Sequence, residues 1–151
     1  MARERVIERS LYRRILEVIP IPCVDMVIIH GTRFLLGKRK NKPARGKWWL
    51  IGGRVYKGEL LRNAVSRKAK EEAGLRDIKI KKLIGARETM FKNSAQGPSA
   101  HTINSVFLVE SRSSRHLLPN DNQNVELRWF SRVDKRWPPY VKEMIRLAGF
   151  R

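Results

Sequence analysis

The spacing of apolar residues predicts a helix near the N-terminus of the chain. Apolar side chains recur at three- and four-residue steps over residues 5–19, which is typical of a helix with one apolar face. Pro20 and Pro22 end it, because a residue before proline avoids the helical conformation. We therefore separate an N-terminal helix, residues 1–20, from a larger domain, residues 21–151. Either a second copy of the chain or the domain itself would cover the apolar face, so a homodimer is one of two open alternatives.

Short apolar runs predict the strands of the larger domain. Two runs rich in β-branched and aliphatic residues flank a turn within residues 23–36 and predict a hairpin. Residues 48–51 form a short predicted strand, and we expect Gly52 and Gly53 to break it. Three further strands are predicted at residues 77–91, 102–110 and 125–131.

Two more helices lie between and after these strands. The first spans residues 59–73, with Gly74 in the position of a C-terminal cap, and the second starts near Pro138 and runs through Leu147. Strands interleaved with helices predict a mixed α/β domain in which a sheet lies between helices. The acidic and basic residues of the first of these helices are expected off its apolar stripe, which consists of Leu61, Ala64, Val65, Ala69 and Ala73.

Composition excludes several classes of protein. Of 151 residues, 42% are hydrophobic, enough for a core, so the net charge of +19 does not indicate disorder. No stretch approaches the roughly 20 apolar residues of a membrane span, and no signal-peptide pattern precedes the domain. The single cysteine, Cys23, cannot form an internal disulfide. We expect a cytoplasmic protein with no membrane association.

The positive charge is densest just before the glycine pair. Residues 33–47 contain seven basic residues and no acidic one. Such a field attracts any polyanion and does not select one. Nucleic acid, a small anionic ligand and plain solvation of a loop are the alternatives that the charge leaves open. The basic residues are Arg33, Lys38, Arg39, Lys40, Lys42, Arg45 and Lys47.

The chemistry of the chain is concentrated between Gly52 and Gly74. Glycines let the backbone approach a ligand, and a backbone carbonyl there together with helical carboxylates suits Mg²⁺. Arg54 and Arg67 would neutralise phosphates bound to that ion. The alternative is an ordinary surface helix, in which Glu71 and Glu72 pair with Arg67 and Lys68 at four-residue spacing.

These residues resemble a known family. The spacing G-x5-E-x7-R-x-A-x-E-E-x-G-L, from Gly53 to Leu75, is similar to the Nudix box. It matches at every specified position except Lys68, where the box has its first helical glutamate, if Ala69 is accepted as the aliphatic residue. The resemblance implies a Nudix-type α/β/α sandwich with a mixed sheet for residues 21–151.

One branch of the family fits further segments of the chain. Residues 34–39, 41–49, 52–55, 117–119 and 128–129 look like GDP-mannose mannosyl hydrolases. The resemblance implies a Mg-dependent hydrolase of a nucleotide sugar, with Mg²⁺ or Mn²⁺ on the diphosphate. In that branch water attacks the anomeric carbon of GDP-mannose and releases GDP and mannose.

The resemblance also assigns roles to individual residues. It implies that Glu72 is the main helical ligand of the metal, beside the Gly52 carbonyl, Gln123 and Glu71. It implies phosphate contacts for Arg39 and Arg54, and a nucleoside or sugar contact for Asp25. The residues expected at the reacting groups are Arg39, Arg67 and Asn124, and those expected on the substrate are Asp25, Arg39, Arg54 and Lys68.

Two departures leave alternatives open. Asn124 stands where the branch has a histidine base, so His101, His116, Asp121 and Glu126 are candidate replacements. Lys68 would weaken a multi-metal site if it points inward, since it removes a ligand and adds repulsion. It would then pair with Glu72 in competition with the metal, or contact a substrate phosphate. An ordinary Nudix diphosphatase and a weakly active module that binds RNA or another polyanion are the alternative functions.

Overall fold

The computed structural model describes residues 6–116 and 124–151, and it has the predicted mixture of strands and helices. In the described residues, the chain forms three helices and seven strands in an α/β arrangement. Their bounds are α1 Arg9–Val18, β1 Ile21–His30, β2 Arg33–Arg39, β3 Trp48–Trp49, β4 Ile51–Arg54, α2 Leu61–Ala73, β5 Ile78–Phe91, β6 Ala100–Ser111, β7 Asn124–Phe130 and α3 Pro139–Leu147.

The strands form one mixed sheet, as expected from the sequence. Its main path runs β3-β2-β1-β6-β5, with β7 paired to β2. Strand β1 pairs with β6 in parallel, and the other pairings are antiparallel. On its other edge β1 is shared by two partners, since its first half pairs with β4 and its second half with β2. This division brings β4 beside the middle of the sheet.

Alternating side chains of β1 pack on opposite faces of the sheet. Val24 and Met26 lie in a buried cluster with Val65 of α2, whereas Val27 lies in a second cluster with Met144 of α3. A strand presents successive side chains to opposite faces, so an apolar run such as that of β1 is buried on both. Each fully buried side chain of this size contributes about 1.5–3 kcal/mol of transfer free energy. The α/β/α sandwich is therefore confirmed.

Helix α1 is shorter than predicted and packs on the domain that follows it. It begins at Arg9, and Leu16 lies in a small buried cluster with Ile21 and Ala100. Leu11 and Val18 are exposed. The domain thus covers part of the apolar face, and a homodimer through the rest stays a prediction. In the described part of the chain, none of the helices has the length and apolar character needed to cross a membrane.

Two details around the glycine pair differ from the prediction. Gly52 and Gly53 do not break a strand but lie inside β4, because β1 pairs with them directly. Leu50 separates β3 from β4. The backbone of the glycine pair is therefore held rigidly by the sheet.

Helix α2 is anchored by most of the predicted stripe. Ala64, Val65, Ala69 and Ala73 are buried, and Gly74 caps the helix in the left-handed conformation with φ 66°. Leu61, which was placed on the stripe, is instead exposed. Glu72, which was placed off it, is buried. The buried face of α2 thus includes a carboxylate, and this carboxylate faces the glycine pair.

Candidate active site

The glycine pair brings the backbone of β4 against β1. Gly52 lies opposite Asp25 in the antiparallel pairing. A Cβ atom on Gly52 would lie 2.1 Å from Asp25 Oδ1 and 2.2 Å from the Val24 carbonyl oxygen, far inside contact distance. A Cβ on Gly53 would lie 2.7 Å from Lys68 Cε. Gly52 therefore has no room for a side chain, whereas a side chain at Gly53 would displace the flexible end of Lys68.

Glu72 reaches the glycine pair from α2. Its Oε2 atom accepts a hydrogen bond from the Gly52 N–H at 3.3 Å, and its Oε1 atom lies 2.9 Å from Lys68 Nζ. Only 4% of the Glu72 side chain is exposed. Residues four apart lie on the same face of a helix, which is why Lys68 and Glu72 point together at β4.

Lys68 points inward. Its side chain is 12% exposed and crosses Gly53, and its ammonium group also donates to Glu71 Oε2 at 3.4 Å. The structure therefore realises the alternative in which Lys68 pairs with Glu72. A lysine here occupies space beside the helical carboxylates that a metal ligand would otherwise take.

Arg67 holds the segment before the helix in place. Its Nε and Nη2 atoms donate to the two carboxylate oxygens of Glu59 at 2.7 and 2.9 Å, and Nη2 also donates to the Arg54 carbonyl at 2.9 Å. Its Nη1 atom donates to Glu71 Oε2 at 3.2 Å. This guanidinium lowers the pKa of Glu59 below its ordinary value. Arg67 thus orients the carboxylates of Glu59 and Glu71.

Two other arginines line the cavity in front of Glu72. Arg39, at the end of β2, donates from Nε to the Pro43 carbonyl at 2.9 Å. The Arg54 guanidinium lies over the ring of Tyr12 at 5.4 Å and over the ring of Tyr56 at 5.6 Å. Guanidinium groups held against aromatic faces or carbonyls lose little entropy when an anion binds, so both are suited to a phosphate.

Asp25 forms a polar floor with a residue of α3. Its Oδ2 atom accepts a hydrogen bond from the Tyr140 hydroxyl at 2.6 Å. Burial raises the pKa of Asp25 to about 7, and Glu72 adds to the rise, while the Tyr140 hydrogen bond and Arg39 oppose it. Beside them, Thr102 donates to Asn104 Oδ1 at 2.9 Å. This floor offers several acceptors and donors to a ligand rich in hydroxyl or amide groups.

These elements enclose one cavity of about 360 Å³. That is within the range of small-molecule sites, at its lower end. Trp49 forms part of its wall and stacks on Tyr140, with ring centroids 5.4 Å apart. Predicted residues that line the cavity are Asp25, Arg39, Gly52, Arg54, Arg67, Lys68 and Glu72.

Other predicted residues lie elsewhere. Glu71 is more exposed and pairs with Arg67 and Lys68 at the margin of the site. Asn124 starts β7 and packs against Gly37, where a Cβ would lie 2.7 Å from its Cγ. Gln123 lies outside the described residues, as does Asp121. Among the described residues that line the cavity there is no histidine, so neither His101 nor His116 is placed as a base, and Glu126 instead pairs with Arg128.

Sequence reasoning missed three tyrosines of the site. Tyr140 lies 115 residues from its partner Asp25, and nothing in the local pattern relates them. Tyr12 was not singled out within the first predicted helix, yet it lines the cavity and contacts Arg54. Tyr56 lies within the Nudix-box segment at an unspecified position, and its ring lies 3.7 Å from the Arg67 guanidinium carbon. Asp25 and Arg54, which Tyr140 and Tyr12 contact, lie on the paired strands β1 and β4.

The carboxylates fit one kind of metal site and not another. Glu72 and Glu71 each have a cationic partner within 3.4 Å. In the described residues, no group of three or more histidine, cysteine, aspartate or glutamate side chains is arranged to hold a metal ion. Mg²⁺ is often bound by one or two carboxylates together with substrate phosphates. Glu72 and Glu71 therefore fit a single Mg²⁺ shared with a diphosphate, and the described residues offer no larger set of such ligands.

Comparison with known proteins finds relatives of this chain. The family profile described as NUDIX domain matches residues 20–146. The low-salt glycan biosynthesis protein Agl8 of Haloferax volcanii is 36% identical over 129 residues, which cover 84% of this chain and 81% of that protein. An ADP-ribose pyrophosphatase of Methanocaldococcus jannaschii is 37% identical over 103 residues, or 68% of this chain and 58% of the pyrophosphatase.

Solved structures share the fold. A MutT NUDIX hydrolase from Burkholderia pseudomallei superposes with a TM-score of 0.70 at 25% identity, covering 86% of this chain and 98% of that one. The NUDIX domain of Shewanella oneidensis NrtR, in a complex with ADP ribose, superposes with a TM-score of 0.62 at 19% identity over 86% of each chain. The second likeness concerns the fold alone.

Proposed function

The chain belongs to the NUDIX domain family, and on that premise we propose that it is a Mg-dependent hydrolase of a nucleoside diphosphate sugar. Its proposed substrate is GDP-mannose, with water attacking the anomeric carbon. The C1–O bond to the diphosphate breaks, its electron pair leaves with GDP, and the new C1–O bond comes from water. One proton is released, and the products are GDP and mannose.

The observation that carries this proposal is the mixed chemistry of the cavity lining. Arg39, Arg54 and Lys68 line the cavity together with Glu72, and the Lys68 ammonium group lies 2.9 Å from Glu72 Oε1. Asp25 and the neighbouring threonine and asparagine side chains add acidic and uncharged polar groups to the same lining. The basic side chains suit a diphosphate, and the acidic and uncharged groups suit sugar hydroxyls or a nucleobase edge.

The residues of the chain would share the work as follows. Arg39 and Lys68 bind the diphosphate and stabilise the charge that develops on it as the C1–O bond breaks. Glu72, with Glu71, would hold the Mg²⁺, which when bound neutralises part of the leaving group. Asp25, fixed by Tyr140, orients the substrate by accepting hydrogen bonds from hydroxyl groups. Arg67 keeps the glutamates aligned.

The names of the relatives support the substrate class. One relative is named for glycan biosynthesis and another for ADP-ribose, which is itself a nucleoside diphosphate joined to a sugar. Lys68 favours attack at carbon over attack at phosphorus, the ordinary reaction of the family. In attack at carbon, the diphosphate leaving group needs charge neutralisation, which a lysine provides. Attack at phosphorus by metal-activated water needs more carboxylates to hold metal ions, and Lys68 pairs with one of them.

Hydrolysis in ¹⁸O-labelled water tests the proposal directly. Incubation with GDP-mannose and Mg²⁺ should give GDP without label, together with mannose, and proton NMR should show inversion at the anomeric carbon. Label in the phosphate of GMP, with mannose 1-phosphate as co-product, would refute attack at carbon. Glu72→Gln should lower kcat/KM by at least a hundredfold, whereas Glu126→Gln, outside the cavity, should leave it within twofold.

The second candidate is an ordinary diphosphatase that cleaves a P–O bond. The pyrophosphatase relative favours it, since 68% of this chain aligns with an enzyme named for that reaction. The same labelling experiment with ADP-ribose distinguishes the two, because cleavage at phosphorus puts ¹⁸O into AMP or ribose 5-phosphate. Release of labelled monophosphate from ADP-ribose, with no free mannose from GDP-mannose, would assign the chain to this candidate.

A further inference from the structure

Lys68 is a cation placed where the helical carboxylates face the cavity. Its ammonium group lies 2.9 Å from Glu72 Oε1 and 3.4 Å from Glu71 Oε2. A lysine and glutamate at four-residue spacing are common on helix surfaces and contribute little there. Here the two side chains are nearly buried, at 12% and 4% exposure, and they line the cavity. The pair therefore belongs to the site and not to the solvated face of the helix.

The surrounding backbone is shaped to admit this lysine. A Cβ atom on Gly53 would lie 2.7 Å from Lys68 Cε and 3.3 Å from both Cδ and Nζ. A side chain at position 53 would require the Lys68 side chain to shift from this position. Gly53 thus leaves space for the Lys68 side chain, which passes beside it to reach the carboxylates.

Each of these carboxylates has a cationic partner without a metal. Glu59 and Glu71 are bonded by Arg67, while Glu71 and Glu72 are bonded by Lys68. A divalent cation arriving alone meets carboxylates that already have cationic partners, and it is repelled by the ammonium group at short range. A diphosphate that binds together with the cation brings two or three negative charges, and its oxygen atoms give the ammonium group a new partner.

We propose that Lys68 acts as a built-in cation that takes the place of a metal ion and makes metal binding depend on the diphosphate. When the diphosphate binds, the ammonium group donates to a phosphate oxygen and releases Glu72 to the Mg²⁺. Metal and nucleotide then bind cooperatively, and the coupling is reciprocal. This inference rests on the diphosphate part of the proposed function, but not on which bond is cleaved.

Metal binding measured without turnover tests the proposal. Mn²⁺ is titrated into the nucleotide-free protein and free Mn²⁺ is followed by electron paramagnetic resonance, for the parent, Lys68→Met and Lys68→Arg. We expect Lys68→Met to bind Mn²⁺ at least tenfold more tightly than the parent, and Lys68→Arg to resemble the parent. Lys70→Met, an exposed change on the same helix, controls for net charge and should change the affinity less than twofold.

A second titration uses preformed Mn²⁺–GDP and isothermal calorimetry. The parent should bind this complex at least tenfold more tightly than it binds Mn²⁺ alone, and Lys68→Met should lose most of that difference. Equal Mn²⁺ affinity in the parent and Lys68→Met, or an equal rise in Lys70→Met, would overturn the inference. Urea unfolding shows that each variant is folded. These titrations measure binding and not hydrolysis. A protein that shows the expected Mn²⁺ affinities but does not hydrolyse GDP-mannose would therefore support the role of Lys68 and refute the proposed function.

Discussion

The contact between Arg67 and Glu59 gives the sharpest test of how the site is held together. Glu59 is 6% exposed and Arg67 19%, and two hydrogen bonds of 2.7 and 2.9 Å join them. Arg67→Ala removes both bonds together with the bond to the Arg54 carbonyl. Of the hydrogen bonds that the Glu59 carboxylate accepts in the described residues, the one from the Tyr56 N–H, at 3.0 Å, would remain. Leaving a nearly buried carboxylate without its cation costs about 3–5 kcal/mol.

We therefore expect Arg67→Ala to lower the free energy of unfolding by about 3 kcal/mol, at the low end because water can enter from the cavity. Urea denaturation at pH 7 measures this value. Arg62→Ala, an exposed change on the same helix, is the matched control and should stay within about 0.5 kcal/mol of the parent. A double-mutant cycle with Glu59→Ala should give a coupling energy of about 2 kcal/mol.

The same contact predicts a dependence on pH. Arg67 lowers the pKa of Glu59, so the stabilisation is present above the ordinary pKa of glutamate and is lost as pH falls through the lowered value. The difference between the parent and Arg67→Ala should therefore shrink between pH 7 and pH 3. A difference that stays constant over this range, or single changes that add without coupling, would contradict the assignment of Arg67 as the residue that holds Glu59.

Further predictions concern the glycine pair, the cavity floor and the surface charge. Gly52→Ala should lower the free energy of unfolding by about 3 kcal/mol, because its Cβ would overlap Asp25 Oδ1 and the Val24 carbonyl oxygen. In the control Gly85→Ala, the Cβ meets only the flexible Arg87 side chain at 3.2 Å, so the loss measured by urea denaturation should be under about 1 kcal/mol. In metal-free protein, folding raises the pKa of Asp25 from 3.8 to about 7, so its contribution to stability is complete below pH 3.8 and is lost as pH rises through 7. The stability of Asp25→Asn relative to the parent should therefore increase between pH 5 and 8. A difference in stability that does not depend on pH would contradict this. The net charge of +19 predicts at most salt-sensitive RNA binding, so a gel shift that persists at 150 mM salt would instead support the polyanion-binding alternative.

The sequence determined much of what depends on spacing along a single element. Apolar steps of three and four residues located the helices, and the glycine after α2 has the left-handed cap conformation predicted for it. The four-residue spacing of Lys68 and Glu72 already implied that the two could pair, because a helix fixes the relative positions of such residues. The box motif likewise indicated the family, since its residues are close together in the chain.

Only the tertiary structure decided which way these residues face and what lies opposite them. Glu72 was expected off the buried stripe of α2, but the close approach of β4 makes its surroundings part of the interior. Gly52 lies in a strand because β1 is divided between two partners, a property of the sheet that no local pattern contains. The hydrogen bond between Tyr140 and Asp25 joins the first strand to the last helix. Such contacts depend on how the sheet is ordered, and that order is set by the packing of the whole chain.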